Sequence, residues 1–239
     1  MRPSPLHRFL RFFFWHFYHG FAWTYDFVAA LVSIGRWNDW VKAAEPFLRG
    51  QRLLEIGFGP GHLQLHLRQG GKWIVTGLDE SAQMARMAQQ RLQRAGEATP
   101  ALARGLGQML PFAAGAFDTV VSTFPTEYIF QQQTLDEIRR VIAPGGRFVM
   151  LPAAWIVGRR VLDRLAAWLF RLTDQAPREP AQILGERIRP SLERAGFAPQ
   201  FLQVEVRSSV VMVIVADAIP KPERGPDVSA KASTIASSS

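Results

Sequence analysis

The segment Arg52-Leu53-Leu54-Glu55-Ile56-Gly57-Phe58-Gly59-Pro60-Gly61 joins a short apolar run to three glycines at alternate positions. The run over 52–56 predicts a buried strand, and 62–69 predicts a helix directly after the glycines. Glycine tolerates positive φ in a tight turn and lets a ligand approach the backbone. The helix that follows adds free N–H groups at its N-terminus. Together these place a nucleotide-type crevice at the carboxyl end of the first strand. The dinucleotide pattern G-x-G-x-x-G fails when counted from Gly57, because its third glycine would fall at His62. A phosphate-binding P-loop fails too, since no Gly-Lys-Ser/Thr follows.

Downstream, strands and helices alternate. Residues 73–78 predict a strand closed by Asp79, and 81–95 predict a helix with Ser81 as N-cap. Further strands are expected over 101–104, 117–123 and 147–151, with a helix over 135–141 stopped by Pro144-Gly145-Gly146. A helix over 156–172, a proline-rich loop and a helix starting at 181 or 188 and ending at 195 come next. Strands over 201–206 and 210–216, joined by Arg207-Ser208-Ser209, close the domain as an antiparallel hairpin. This alternation implies a parallel sheet with right-handed crossovers. Upstream, Leu6, Phe9, Leu10, Phe13, Phe14 and Phe17 recur at helical spacing; helices are also expected over 23–41, broken near Gly35, and over 42–48.

The expected organisation is an N-terminal helical region over 1–48, a main domain over 49–219 with a helical insertion over 155–195, and a disordered tail over 220–239. A length of 239 residues with 48% hydrophobic residues suits one α/β domain with additions. The absence of cysteine excludes disulfides and thiolate zinc sites, and no histidine cluster has metal-ligand spacing. The net charge of +8 favours anionic partners. The aromatic stretch 6–18 is too short and too charged to span a bilayer, and it lacks the pattern of a secretory signal.

Glu55 before the three glycines completes E-x-G-x-G-x-G, which resembles motif I of the class I S-adenosylmethionine-dependent methyltransferases. The resemblance covers 25–151. It implies a Rossmann-like α/β fold with a seven-stranded, mostly parallel sheet, an antiparallel C-terminal hairpin and an N-terminal helical lid. It also implies S-adenosylmethionine as cofactor. In that family the acidic residue at the place of Glu55 orients the motif and reaches the methionine amino group, often through water. Gly57, Phe58, Gly59 and Gly61 form the turn beneath the cofactor. Gly77-Leu78-Asp79-Glu80-Ser81 matches the end of strand two, which implies ribose binding by Asp79, with Glu80 beside it and Met84 on the adenine. The alternative for Asp79 is a cap of the following helix. After strand three the family often carries Asp where this chain has Leu106, so adenine contact passes to Gly107 and Gln108.

Methyl transfer chiefly requires an acceptor held in line with the methyl group and shielded from water. A base is needed only when the acceptor must lose a proton. Thr123, Phe124, Glu127 and Tyr128 follow strand four. Thr123 is assigned to the cofactor, and Phe124 and Tyr128 to the acceptor with Tyr25 of the lid. Glu127 is the candidate base, with a solvated helix-start carboxylate as its plain alternative. His19 is a second candidate, with aromatic packing or surface exposure as the alternative.

The aromatic N-terminal helix and the 156–172 helix, whose Arg160, Arg164 and Arg171 lie opposite an apolar face, fit interfacial helices at an anionic bilayer. Covering the domain core is the other reading. The segment from Tyr25 to Trp40 is similar to ubiquinone and menaquinone C-methyltransferases and to phospholipid N-methyltransferases. The resemblance implies a small, lipidic acceptor and a cytoplasmic protein peripheral at the inner membrane face. A soluble acceptor and a non-catalytic binding protein are the alternatives. Nucleic acid is not expected as a partner: Asn/Asp-Pro-Pro-Tyr is absent, and cysteine-dependent base methylation has no cysteine to use.

Overall fold

The computed structural model describes residues 36–156 and 181–220. In chain order these are α1 (Trp37–Lys42), a 3₁₀ turn (Glu45–Phe47), β1 (Arg52–Ile56), α2 (His62–Gln69), β2 (Ile74–Asp79), α3 (Ala82–Arg94) and β3 (Leu102–Arg104). Then come β4 (Phe117–Thr123), a 3₁₀ turn (Glu127–Phe130), α4 (Gln132–Val141), β5 (Ile142–Ile156), α5 (Ala181–Arg194), β6 (Phe197–Val206) and β7 (Ser209–Ala218).

The strands form one seven-stranded sheet in the order β3-β2-β1-β4-β5-β7-β6. Strands β1 to β5 pair in parallel, and β7 runs antiparallel to both β5 and β6. The expected mostly parallel sheet with an antiparallel C-terminal hairpin is therefore present. The order reverses between β1 and β4, and ligand crevices of open α/β sheets form at such switch points.

Helices on both faces explain why the central strands are apolar at successive positions. Leu54 and Ile56 join Val120, Phe148, Met150 and Ile214 in one core, against Leu135 and Ile138 of α4 and Leu192 of α5. Leu53 joins Val75, Val121, Val149 and Val213 in the other, against Trp40 of α1 and Leu63 and Leu67 of α2. The alternation places Glu55 on the second face with Leu53, facing α2 rather than α4.

Element bounds differ from the sequence expectation in several places: β5 runs on to Ile156 instead of ending at 151, and β6 starts at Phe197 instead of 201. A helix over 42–48 is replaced by the end of α1 and the 3₁₀ turn, in which Pro46 sits at the start. Strand β5 begins at Ile142 rather than 147, because Phe117 pairs with Ile142 before the register shifts and resumes at Thr119 with Arg147. The intervening Pro144-Gly145-Gly146 is thus a bulge within the strand, with Gly145 at φ 75°. Ile156 ends β5, and the rest of the helix expected over 156–172 lies outside the described residues. So do most of the N-terminal helices, with His19 and Tyr25, and the tail beyond 220.

Candidate cofactor site

A cavity of about 550 Å³ opens at the carboxyl ends of β1, β2 and β4, lined by Ile56, Gly57, Leu78, Asp79, Glu80 and Ser81 on one side. Gly105, Gly107 and Gln108 after β3 and Phe124, Pro125, Thr126 and Tyr128 after β4 complete it. Its size falls within the ~300–1,000 Å³ of small-molecule sites.

The floor is the glycine turn. Gly57, Gly59 and Gly61 all have positive φ, at 72°, 53° and 83°. At Gly57 a Cβ would lie 2.6 Å from the Tyr128 hydroxyl, so glycine is required for both conformation and space. At Gly61 a Cβ would meet the Ala88 side chain at 2.9 Å, which lets the turn sit directly on α3. Phe58 points away from the cavity: it is buried, and its ring occupies the space over Gly77.

Asp79 ends β2 at the cavity wall. Its Oδ2 accepts the Gly59 N–H at 2.8 Å and its Oδ1 accepts the Ser81 N–H at 2.8 Å. Burial pushes its carboxyl up, and those two backbone donors oppose the rise. Carboxylate oxygens accept more than one hydrogen bond each, so capacity remains for a diol. Ser81 caps α3 through its own hydroxyl, which accepts the Met84 N–H at 3.3 Å. The helix-cap role is therefore filled by Ser81, and Asp79 is free to face the cavity.

Glu55 lies beneath the turn at 1% exposure. Gln64 of α2 donates to its Oε2 at 2.9 Å. Burial raises the Glu55 carboxyl to about 8; the Gln64 bond opposes that rise and Asp79 adds to it. Glu55 is not among the lining residues of the cavity.

Tyr128 forms the roof. Its ring would meet a Cβ on Gly107 at 3.1 Å. Burial raises its hydroxyl to about 12, with Asp79 adding to the rise, while a hydrogen bond with Ser122 lowers it. Ser122 in turn donates to the Ile56 carbonyl at 2.8 Å, tying β4 to the end of β1. Phe124 has a φ of 49°, unusual for a non-glycine residue. Its ring packs at a tilt against Trp37, with ring centroids 4.6 Å apart, and lies 6.1 Å from Trp40. That aromatic contact holds the strained turn after β4.

The loop after β3 is clamped from α4. Glu137 accepts the Leu110 N–H at 2.8 Å, and Arg140 donates to the Leu110 and Phe112 carbonyls at 2.9 and 2.7 Å. Gly107 and Gln108 face the cavity while Leu106 is 45% exposed.

The structure thus brings Gly57, Asp79, Glu80, Gly107, Gln108, Phe124 and Tyr128 of the sequence assignments to one cavity. Gly59 joins through Asp79. Met84, Thr123 and Glu127 are not among its lining residues, and Glu127 starts the 3₁₀ turn as an exposed carboxylate. Sequence reasoning missed Ser81, Gly105, Pro125 and Thr126 as lining residues, although the breakers Gly105 and Pro125 stand just past strand ends, where crevices form. It also missed Gln64, a polar residue beside Leu63 on a buried helix face. Among the described residues, no group of three or more His, Asp or Glu side chains is placed to hold a metal ion.

Residues 54–150 match the family model described as "Methyltransferase domain". The chain is 27% identical over 194 residues to demethylmenaquinone methyltransferase of Mycobacterium bovis, covering 77% of this chain and 79% of that protein. Among solved structures, a putative S-adenosyl-L-methionine-dependent methyltransferase from Methanococcus maripaludis aligns with a TM-score of 0.64 at 17% identity, over 84% of this chain and 94% of that one. Geranyl diphosphate C-methyltransferase from Streptomyces coelicolor, in complex with S-adenosyl-L-homocysteine, aligns at 0.55 and 14% identity, over 75% and 78%. The fold is that of the class I methyltransferases. The chain is an S-adenosylmethionine-dependent methyltransferase, similar to the enzymes that methylate demethylmenaquinone.

Proposed function

We propose that this enzyme methylates a small hydrophobic acceptor of the quinone class at a membrane surface, with the cofactor in the cavity between the glycine turn and Tyr128. The observation that carries the cofactor placement is the union of Gly59 and Asp79 at the sheet's switch point. The acceptor class is supported by the likeness to demethylmenaquinone methyltransferase. Membrane contact is supported by the aromatic, arginine-bearing stretch at 6–18 and the net charge of +8. No helix among the described residues is long and apolar enough to cross a membrane.

When bound, S-adenosylmethionine supplies an electrophilic methyl group on its sulfonium. The chain's own task is binding, orientation and exclusion of water. The backbone of Gly57 would allow close approach, Asp79 would accept hydrogen bonds from the vicinal hydroxyls, and Gly107 and Gln108 would border the base. Glu55 beneath the turn favours a cationic amino group. Tyr128 and Phe124 line the cavity after β4 and would form the acceptor wall. The Tyr128 hydroxyl, held protonated well above neutral pH, serves as a hydrogen-bond donor rather than a base.

The test is incubation of the full chain with S-adenosylmethionine and demethylmenaquinone, kept chemically reduced to its nucleophilic hydroquinone form, in mixed micelles, with the product reoxidised before mass analysis. The expected product is a quinone heavier by one methylene unit. A parallel incubation with soluble phenols or amines that gave the only product would replace the quinone reading with a soluble acceptor. Sedimentation with anionic vesicles, with and without residues 1–18, tests the membrane part.

A further inference from the structure

Gln64 is fully buried in α2 and makes no contribution to the cavity wall. Its amide nitrogen donates to Glu55 Oε2 at 2.9 Å and lies 3.4 Å from the Thr76 carbonyl of β2. Its amide oxygen accepts from Arg68 Nε at 3.4 Å, one helical turn on. Arg68 is itself anchored: it donates to the Val75 carbonyl and pairs with Glu97 at 3.6 Å. A flipped Gln64 amide would set its NH₂ against the guanidinium, donor against donor, and leave Glu55 without a donor. Gly77 makes room for this arrangement, since a Cβ there would crowd the Gln64 nitrogen at 3.1 Å. A chain of contacts therefore runs from Glu97 through Arg68 and Gln64 to the carboxyl group beneath the glycine turn.

We infer that Gln64, locked by Arg68, is a positioning residue of the cofactor site, holding the Glu55 carboxylate ready for the cationic amino group of the cofactor. This rests on the placement of the cofactor proposed above. Among the described residues Gln64 is the side chain that donates to the Glu55 carboxyl. A buried carboxylate with a single neutral donor is barely stable in its charged form. The charged groups that face it are Asp79 on β2, which opposes its ionisation, and Arg68 on α2, which favours it. The Tyr128 hydroxyl, on the turn after β4, also feels its charge. Removing the Gln64 donor makes ionisation harder, so a ligand that selects the carboxylate binds more weakly until the pH is raised.

The experiment is calorimetric titration of S-adenosylhomocysteine into the full chain between pH 6.5 and 9, comparing wild type with Gln64→Leu, Arg68→Met and Glu55→Gln. The ligand's own amine titrates identically in all four, so differences report the protein. In Gln64→Leu the affinity at pH 7 falls about tenfold or more, the scale of a hydrogen bond to a charged group, and recovers toward wild type by pH 9. Arg68→Met, which keeps the Gln64 side chain but frees its amide to flip, shifts in the same direction by less. A drop in Gln64→Leu that is equal at every pH, or no drop at all, would overturn the inference and leave Gln64 as packing. Should Glu55→Gln leave binding unchanged at every pH, the cofactor placement itself fails, a result distinct from failure of the Gln64 variant alone.

Discussion

The Gly59 N–H donates to Asp79 Oδ2 at 2.8 Å, so the acidic residue that ends β2 is fastened to the middle of the turn that ends β1. The same carboxylate takes the Ser81 N–H with its other oxygen. Asp79 thereby fixes the turn, the start of α3 and the cavity wall with one side chain. Two strands that are neighbours in the sheet become one rigid binding edge.

Gly57→Ala tests the steric fit of that edge. The added methyl would stand 2.6 Å from the Tyr128 hydroxyl, at a φ of 72°. We expect at least a tenfold loss of S-adenosylhomocysteine affinity and about 1 kcal/mol of lost stability, the scale of a strained backbone position. The double variant with Tyr128→Phe removes the clashing oxygen and should regain part of the affinity but not the stability. Equal affinity in the single variant and wild type would show that Tyr128 leaves the turn freely.

Glu55 makes stability and binding oppose each other. Its carboxyl is raised from an ordinary 4.5 to about 8, so its favourable contribution to folding is full below about 4.5 and is lost as pH rises through about 8. Glu55→Gln removes that loss. The ligand-free variant should hold its Tm between pH 5 and 9 while wild type declines, opening a gap of several degrees at ~2–4 °C per kcal/mol. Parallel melting curves would contradict a buried, titrating Glu55.

Much of this was legible in the sequence, for reasons that differ by element. Strands β1 and β4 and helix α2 fall where apolar runs meet glycine or a β-branched stretch, because their boundaries are set locally. The start of β5 was not legible: Pro144-Gly145-Gly146 reads as a stop, yet pairing of Ile142 with Phe117 across the bulge is a tertiary contact. The placement of Gly57 and Asp79 at the cavity was readable from the glycine spacing after β1 and the acidic end of β2. The inward turn of Phe58 and the seclusion of Glu55 were not, since they depend on which sheet face α2 covers. Gln64 looked like an ordinary helix residue because its partners come from β1, β2 and α2 at once.

Gly50 and Asp118 form a separate hinge pin at the base of β1. Asp118 accepts the Gln51 and Arg52 N–H groups at 2.9 and 3.0 Å, and its carboxyl is held down near 2, first by the Arg52 side chain. A Cβ on Gly50, at φ 66°, would collide with the Asp118 Cβ. Gly50→Ala and Asp118→Ala should each cost about 1–3 kcal/mol in urea unfolding. The Asp118 contribution is present above an ordinary 3.8 and fades as pH falls through about 2. Asp118→Ala indistinguishable from wild type at pH 7 would remove the pin.

Arg140→Ala tests the clamp on the loop after β3. It removes the donors to the Leu110 and Phe112 carbonyls and the partner of Glu137. Because that loop carries Gly107 and Gln108, we expect a several-fold rise in the KM for S-adenosylmethionine with kcat little changed. Amide hydrogen exchange should speed up over 105–112. A change in kcat alone, with exchange unaltered, would mean that the loop holds its shape without the clamp.

The most direct measurement of the central claim is calorimetry of S-adenosylhomocysteine binding to wild type and to Asp79→Ala at pH 8. The predicted result is one site per chain in wild type and a ten- to hundredfold weaker site in the variant, the scale of a lost hydrogen bond to a charged group. No binding heat in wild type at any workable concentration and temperature, or equal affinity in the two proteins, would contradict a cofactor seated between Gly57, Gly59 and Asp79.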